Sequence, residues 1–133
     1  MSYRFLSVLN AVVLAVFGAA FLAVPETVLK FFDTETYTAT LFVARFLGAV
    51  LILAAMFIWM SKDLVTLGAE RTMTIMLLVS SIAGFVLTLV GMVGSDVIRV
   101  NGWIPLVAHI LFALGYGYLV SGISIVTKNQ KQK

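Results

Sequence analysis

The sequence predicts an all-α integral membrane protein, a four-helix bundle, and three observations carry that prediction. Of its 133 residues, 62% are hydrophobic and 11% charged, whereas an ordinary soluble domain carries about 25% charged residues. So short a chain has too little polar surface to cover itself in water. Four windows then reach the length of about 20 apolar residues that a helix needs to cross a hydrocarbon core about 30 Å thick. Finally, the period-2 alternation of a lipid-facing barrel is absent.

The first window is Phe5–Val24. Gly18-Ala19-Ala20 resembles a small-residue cleavage site, but Arg4 alone makes a weak basic leader, so the span is read as a retained helix. Pro25 fits the first turn of a new helix, where its missing N–H costs nothing. The stretch "PETVLKFF" gathers Val28, Leu29, Phe31 and Phe32 around Glu26 and Lys30. That predicts a short helix lying in the membrane interface, with a plain loop as the alternative. The second window, Leu41–Met60, carries the belt residue Trp59 near its end. A link turning at Gly68 leads to the third, Thr72–Val93. The loop "GSDVIRVNGW" closes on Trp103 before the fourth, Ile104–Val126. Residues 127–133 form a basic tail, expected to be disordered, that serves as a stop-transfer anchor. The whole chain is one transmembrane domain.

Lysine and arginine in short loops set orientation. With the N-terminus inside, Arg4, Lys62, Arg71, Lys128, Lys131 and Lys133 fall on the inner side, and Lys30, Arg45 and Arg99 on the outer. This places both termini in the cytoplasm and the protein in the cytoplasmic (inner) membrane.

Lipid gives helices no hydrophobic reason to associate, so small residues that let backbones approach take over that role. Rows at four-residue spacing occur at Ala11, Ala15, Ala19 and Ala23, at Ser80, Gly84 and Thr88, and at Ala113, Gly117 and Ser121, with a shorter patch at Ala44, Gly48 and Ala49. Together they predict a compact bundle. "VARFLGA" (Val43–Ala49) also echoes "VAHILFA" (Val107–Ala113), aligning Arg45 with His109, and Gly18 pairs similarly with Gly84. Two parallel repeats of two helices are one reading of that echo; chance similarity between apolar segments is the other.

Arg45 is the fifth residue of its window and His109 the sixth of its own, both counted from the outer side. At 1.5 Å per residue Arg45 lies about 6–7 Å below the boundary. A charge at a helix centre costs about 2.5–3.5 kcal/mol on insertion scales, and less near the ends. Arg45 either snorkels to the lipid phosphates or turns inward beside Gly48 and Ala49. Turned inward, it would hold Glu35, Asp96 or an anionic or carbonyl-bearing ligand through its planar fork. His109 shares a helical face with Ala113, Tyr116 and Gly117, so Arg45, His109 and Tyr116 form the candidate ligand-binding set. As an isolated histidine, His109 also fits a hydrogen-bonded core role. Asn10, near the inner end of the first span, is expected to bond Ser121 or Ser124.

The absence of cysteine removes disulfide, thiolate and Fe–S chemistry. One histidine and no intramembrane carboxylate leave no metal set and no proton path. Ser80 and Ser81 have no base at their depth, so no catalytic residue is assigned. A net charge of +3 is too small to argue for nucleic acid.

Pro25 closing the first span, "TVLKFF", the "ARFLGAVLILAAMFIW" of the second span and the Gly102–Trp103 hairpin before a span with one polar residue resemble the DoxX-like group of small bacterial and archaeal four-helix membrane proteins. The resemblance covers most of the chain in layout and contains no catalytic motif. It implies a membrane bundle, some of whose relatives take part in quinone-linked redox complexes. Only Arg45 is carried across.

The leading reading is a non-enzymatic accessory or assembly subunit of a membrane complex, acting with other membrane subunits. The second is a binder of a lipophilic, polar-headed ligand, a quinone or bound lipid being the only cofactor-like candidate. The third is small-solute transport by a homo-oligomer.

Overall fold

The computed structural model describes the backbone at residues 2–63, 67–94 and 97–130, and side chains at 2–63, 69–94 and 97–122. Among these residues there are five α-helices and no strand: α1 (Tyr3–Ala23), α2 (Pro25–Phe31), α3 (Thr38–Ser61), α4 (Leu67–Leu89) and α5 (Trp103–Gln130). The end of α4 widens into a π turn over Val90–Gly94. Four helices, α1, α3, α4 and α5, are long and apolar enough to cross a bilayer. The chain is therefore a multi-pass membrane protein, because only internally hydrogen-bonded backbone is tolerated in hydrocarbon. Several helices overrun the expected windows: α3 starts at Thr38 and α5 runs on to Gln130, through the first residues of the expected tail. Hydropathy marks the oil, and the backbone hydrogen bonds continue past it. The expected turn at Gly68 falls within α4, in the part whose side chains lie outside the described residues.

Local chemistry explains the element ends. Ser2 Oγ accepts from the Phe5 N–H at 3.3 Å and caps α1. Pro25 starts α2, whose Lys30 donates to Glu26 one turn back at 2.7 Å. That hydrogen bond, with the lysine's charge, holds the Glu26 carboxyl below its ordinary range. α2 ends without glycine. Asp33 takes the left-handed conformation (φ 52°), the Thr34 N–H reaches the Leu29 carbonyl at 2.9 Å, and the Asp33 N–H reaches that of Lys30 at 3.0 Å. This is a Schellman ending, which a short polar side chain tolerates better than most.

The spans associate as two pairs. α1 packs along α3, and α4 along α5. In the first pair the backbones touch: a Cβ on Gly48 would lie 2.7 Å from both the Gly18 carbonyl oxygen and the Leu22 nitrogen. Near the chain termini Tyr3 Oη donates to the Ser61 carbonyl at 3.4 Å, and Arg4 lies 3.3 Å from Asp63. In the second pair a Cβ on Gly84 would collide with the His109 ring. The two pairs meet where α1 crosses α5, through a core of Leu6, Phe112 and Tyr116. At the opposite end α2 is tied to the loop before α5. The Arg99 and Val100 N–H groups reach the Phe32 carbonyl at 3.1 and 3.3 Å, and Asn101 Nδ2 donates to the Phe31 carbonyl at 2.8 Å.

The observed seams differ from the expected alanine row. Ala11 is buried, but Ala15 and Ala19 are exposed, and Gly18 makes the contact instead. The cause is helical drift: each four-residue step rotates about 40° off a fixed line, whereas a seven-residue step returns to within about 20°. Ala11 and Gly18 are seven apart. Among the described side chains of α5 the buried positions are Phe112, Gly115 and Tyr116; Ala113 is half-buried, and nothing lies within 4 Å of a Cβ placed on Gly117.

Candidate functional site

α3 and α4, the second and third spans, are not packed on one another. Between them is a cavity of about 820 Å³ that reaches inward to α1 and α5. Its walls are Leu47, Leu51 and Ala54 of α3, Met76, Ser80 and Gly84 of α4, and Ala108 and His109 of α5. Asn10 and Ser61 lie toward the end that holds the chain termini; Phe32, Thr34 and Val97 close the end that holds α2. The volume falls within the roughly 300–1,000 Å³ of small-molecule sites. The binder reading called for a cleft between the second and fourth spans, walled by Gly48, Ala113 and Gly117. The cavity opens one helix away, and none of those three residues lines it.

The three candidate ligand residues separate. Arg45 is exposed on the outer surface of α3. Ala44 and Gly48 are the buried positions there, and a turn of about 100° per residue carries Arg45 off the seam and away from the cavity. No carboxylate among the described residues lies within ion-pair distance of it; Glu35 sits 3.7 Å from Arg99 instead. Asp96 lies outside the described residues. Tyr116 is fully buried and accepts a hydrogen bond from Asn10 Nδ2 at 3.0 Å. Asn10 thus bonds the tyrosine rather than Ser121, whose exposed hydroxyl donates to the Gly117 carbonyl at 3.0 Å; the Ser124 side chain lies outside the described residues. Of the three, only His109 stands on the cavity wall.

The other polar wall residues are mostly spent on backbone. Ser81 donates to Leu77 at 2.8 Å, Thr88 to Gly84 at 2.8 Å, Ser61 to Ile58 at 2.9 Å and Thr34 to Val97 at 2.7 Å. The His109 ring makes no hydrogen bond or ion pair with any described residue. An imidazole in hydrocarbon with both nitrogens unpaired is costly. It becomes reasonable where an occupant of the cavity supplies the partner. Gly84 fixes the ring's place, since only glycine leaves room for it against α4.

This contact is testable. Gly84→Ala is expected to swing the His109 ring and cost about 1–3 kcal/mol, the usual range for overpacking. His109→Ala in the same chain should recover most of it. Unfolding by SDS titration in mixed micelles measures the cycle, and additive losses would mean that the two residues do not interact.

The Asn10–Tyr116 bond and the packing role of Gly18 were not legible in the sequence. Asn10 offered a polar signal without a partner's address, and Gly18 was hidden beside the more obvious alanines. Among the described residues no group of three or more histidine, cysteine or acidic side chains is gathered as a metal site would require. Comparison of the chain with protein-family models, with curated proteins and with solved structures finds no match.

Proposed function

We propose that this membrane protein binds a lipophilic, polar-headed molecule, of the quinone or lipid kind, in the cavity between α3 and α4. The observation that carries the reading is that cavity, apolar through most of its wall, with the unpaired imidazole of His109 on it. A groove between two spans fills with something, and a tailed molecule can enter sideways from the bilayer without crossing water. His109 would meet the head group as donor at one ring nitrogen and acceptor at the other. Arg45 and Tyr116 take no part, the one facing outward and the other bonded to Asn10. The bundle would sit in the cytoplasmic membrane with its termini inside, by the distribution of its basic residues.

Placing an indole in the cavity tests this reading. Ala54→Trp on the α3 wall should abolish retention of the co-purified lipophile, read by mass spectrometry of organic extracts, and leave the unfolding free energy within about 0.5 kcal/mol of the parent. If the same lipophiles stay bound in the same amounts, the cavity is not their site.

A second reading, an accessory subunit of a membrane complex, is favoured by Arg45 itself. An exposed cation on a lipid-facing helix offers a contact to a partner's carboxylate as readily as to a lipid phosphate.

A further inference from the structure

The charge of the cavity wall narrows the class of occupant, on the footing that the cavity is a ligand site at all. Among the described residues its lining includes no lysine, arginine, aspartate or glutamate. The cations on the same side of the bundle as His109 are engaged or turned away: Lys30 pairs with Glu26 and Arg99 with Glu35 near α2, and Arg45 faces outward. We infer that the site selects an uncharged lipophile, one whose head is a carbonyl or hydroxyl, and rejects phosphate- and carboxylate-headed lipids of the same tail.

The physical reason is desolvation. His109 is the seventh residue of α5, about 10 Å along that helix, so a head group beside it lies below the interface. An anion drawn there loses its water and meets no countercharge on the wall, a cost far above that of a hydrogen-bonded neutral group. A carbonyl or hydroxyl needs only the one bond that His109 has to give. A single extended tail can lie along the apolar wall to which Leu47, Leu51, Met76 and Phe112 contribute.

The test uses probes that share a tail and differ in head: oleyl alcohol, methyl oleate, oleate at alkaline pH and the single-tailed 1-oleoyl lyso-phosphatidate. Each is titrated against the full chain in micelles, with binding read by native mass spectrometry. The alcohol and the ester should bind, and the two anions at least about tenfold more weakly. His109→Phe should weaken the neutral probes several-fold to about tenfold, while His109→Gln, which keeps a donor and an acceptor, should hold them near the parent. If oleate or lyso-phosphatidate binds as tightly as the alcohol, the charge selection is wrong, although the cavity remains a lipophile site. If Ala54→Trp displaces none of the four, or none binds saturably, the cavity reading fails and this inference falls with it.

Discussion

Gly48→Val is expected to prise α1 from α3 and lower stability by about 3 kcal/mol, the upper end for overpacked sites. The size of the effect follows from what the new atoms would meet. Around Gly48 the nearest groups are backbone, the Gly18 carbonyl, the Leu22 nitrogen and the Phe21 carbonyl carbon, at 2.7 to 3.1 Å. A side chain can change rotamer to admit a methyl group, but a helix backbone cannot, so the whole pair must part. In lipid no hydrophobic gain offsets that separation, because association rests on close packing. Gly117→Ala is the matched control. Nothing lies within 4 Å of the added carbon, so the variant should be neutral or gain up to about 1 kcal/mol of helix propensity. SDS titration in mixed micelles gives both values. Equal losses at positions 48 and 117 would show that glycine acts through backbone flexibility rather than through contact.

Tyr116→Ala is expected to be comparably damaging, at about 3–5 kcal/mol, as for other buried aromatic truncations. The ring is fully buried, lies 6.3 Å from Phe112 in a stacked arrangement, and sits where α1 crosses α5 and the two helix pairs meet. Its loss leaves a void there and strips Asn10 of its acceptor. Conservative variants separate the two causes. Tyr116→Phe keeps the packing and removes only the bond, which should cost about 1 kcal/mol, as interhelical hydrogen bonds do. Asn10→Leu with Tyr116→Phe should restore most of that, since replacing both partners leaves nothing unpaired. A double variant weaker than either single would mean that the amide has another partner. Ser7, fully buried beside this crossing, adds a third polar side chain to the same tightly packed region.

Each structural feature that was legible in the sequence depended on near neighbours along the chain. The four spans follow from runs of about 20 apolar residues, and Phe31, Phe32 and Pro25 announced the short helix α2. Gly48 and Gly84 could be picked as packing residues because a lone glycine in an apolar helix has few other uses. His109 could be picked because an imidazole in hydrocarbon always needs a reason. The grouping of Arg45, His109 and Tyr116 could not be settled this way. Depth along a helix is a matter of counting residues, and those counts place Arg45 and His109 at similar levels. Facing depends on how the helix is rotated, and that is fixed by its neighbour. Once Gly48 is committed to Gly18, Arg45 must point outward; once Asn10 meets Tyr116, that tyrosine is unavailable to a ligand.

The sequence by itself thus determined the solvent, the number of crossings and the residue types at the seams, because hydropathy and helical rise act locally and need no partner. The tertiary structure alone decided which spans pair and which stand apart, and so placed the open cavity between α3 and α4 with His109 on its wall. That choice rests on a backbone approach so close that a Cβ added at Gly48 would lie 2.7 Å from the Gly18 carbonyl oxygen, and a row of small residues on one helix does not reveal which other helix it will meet.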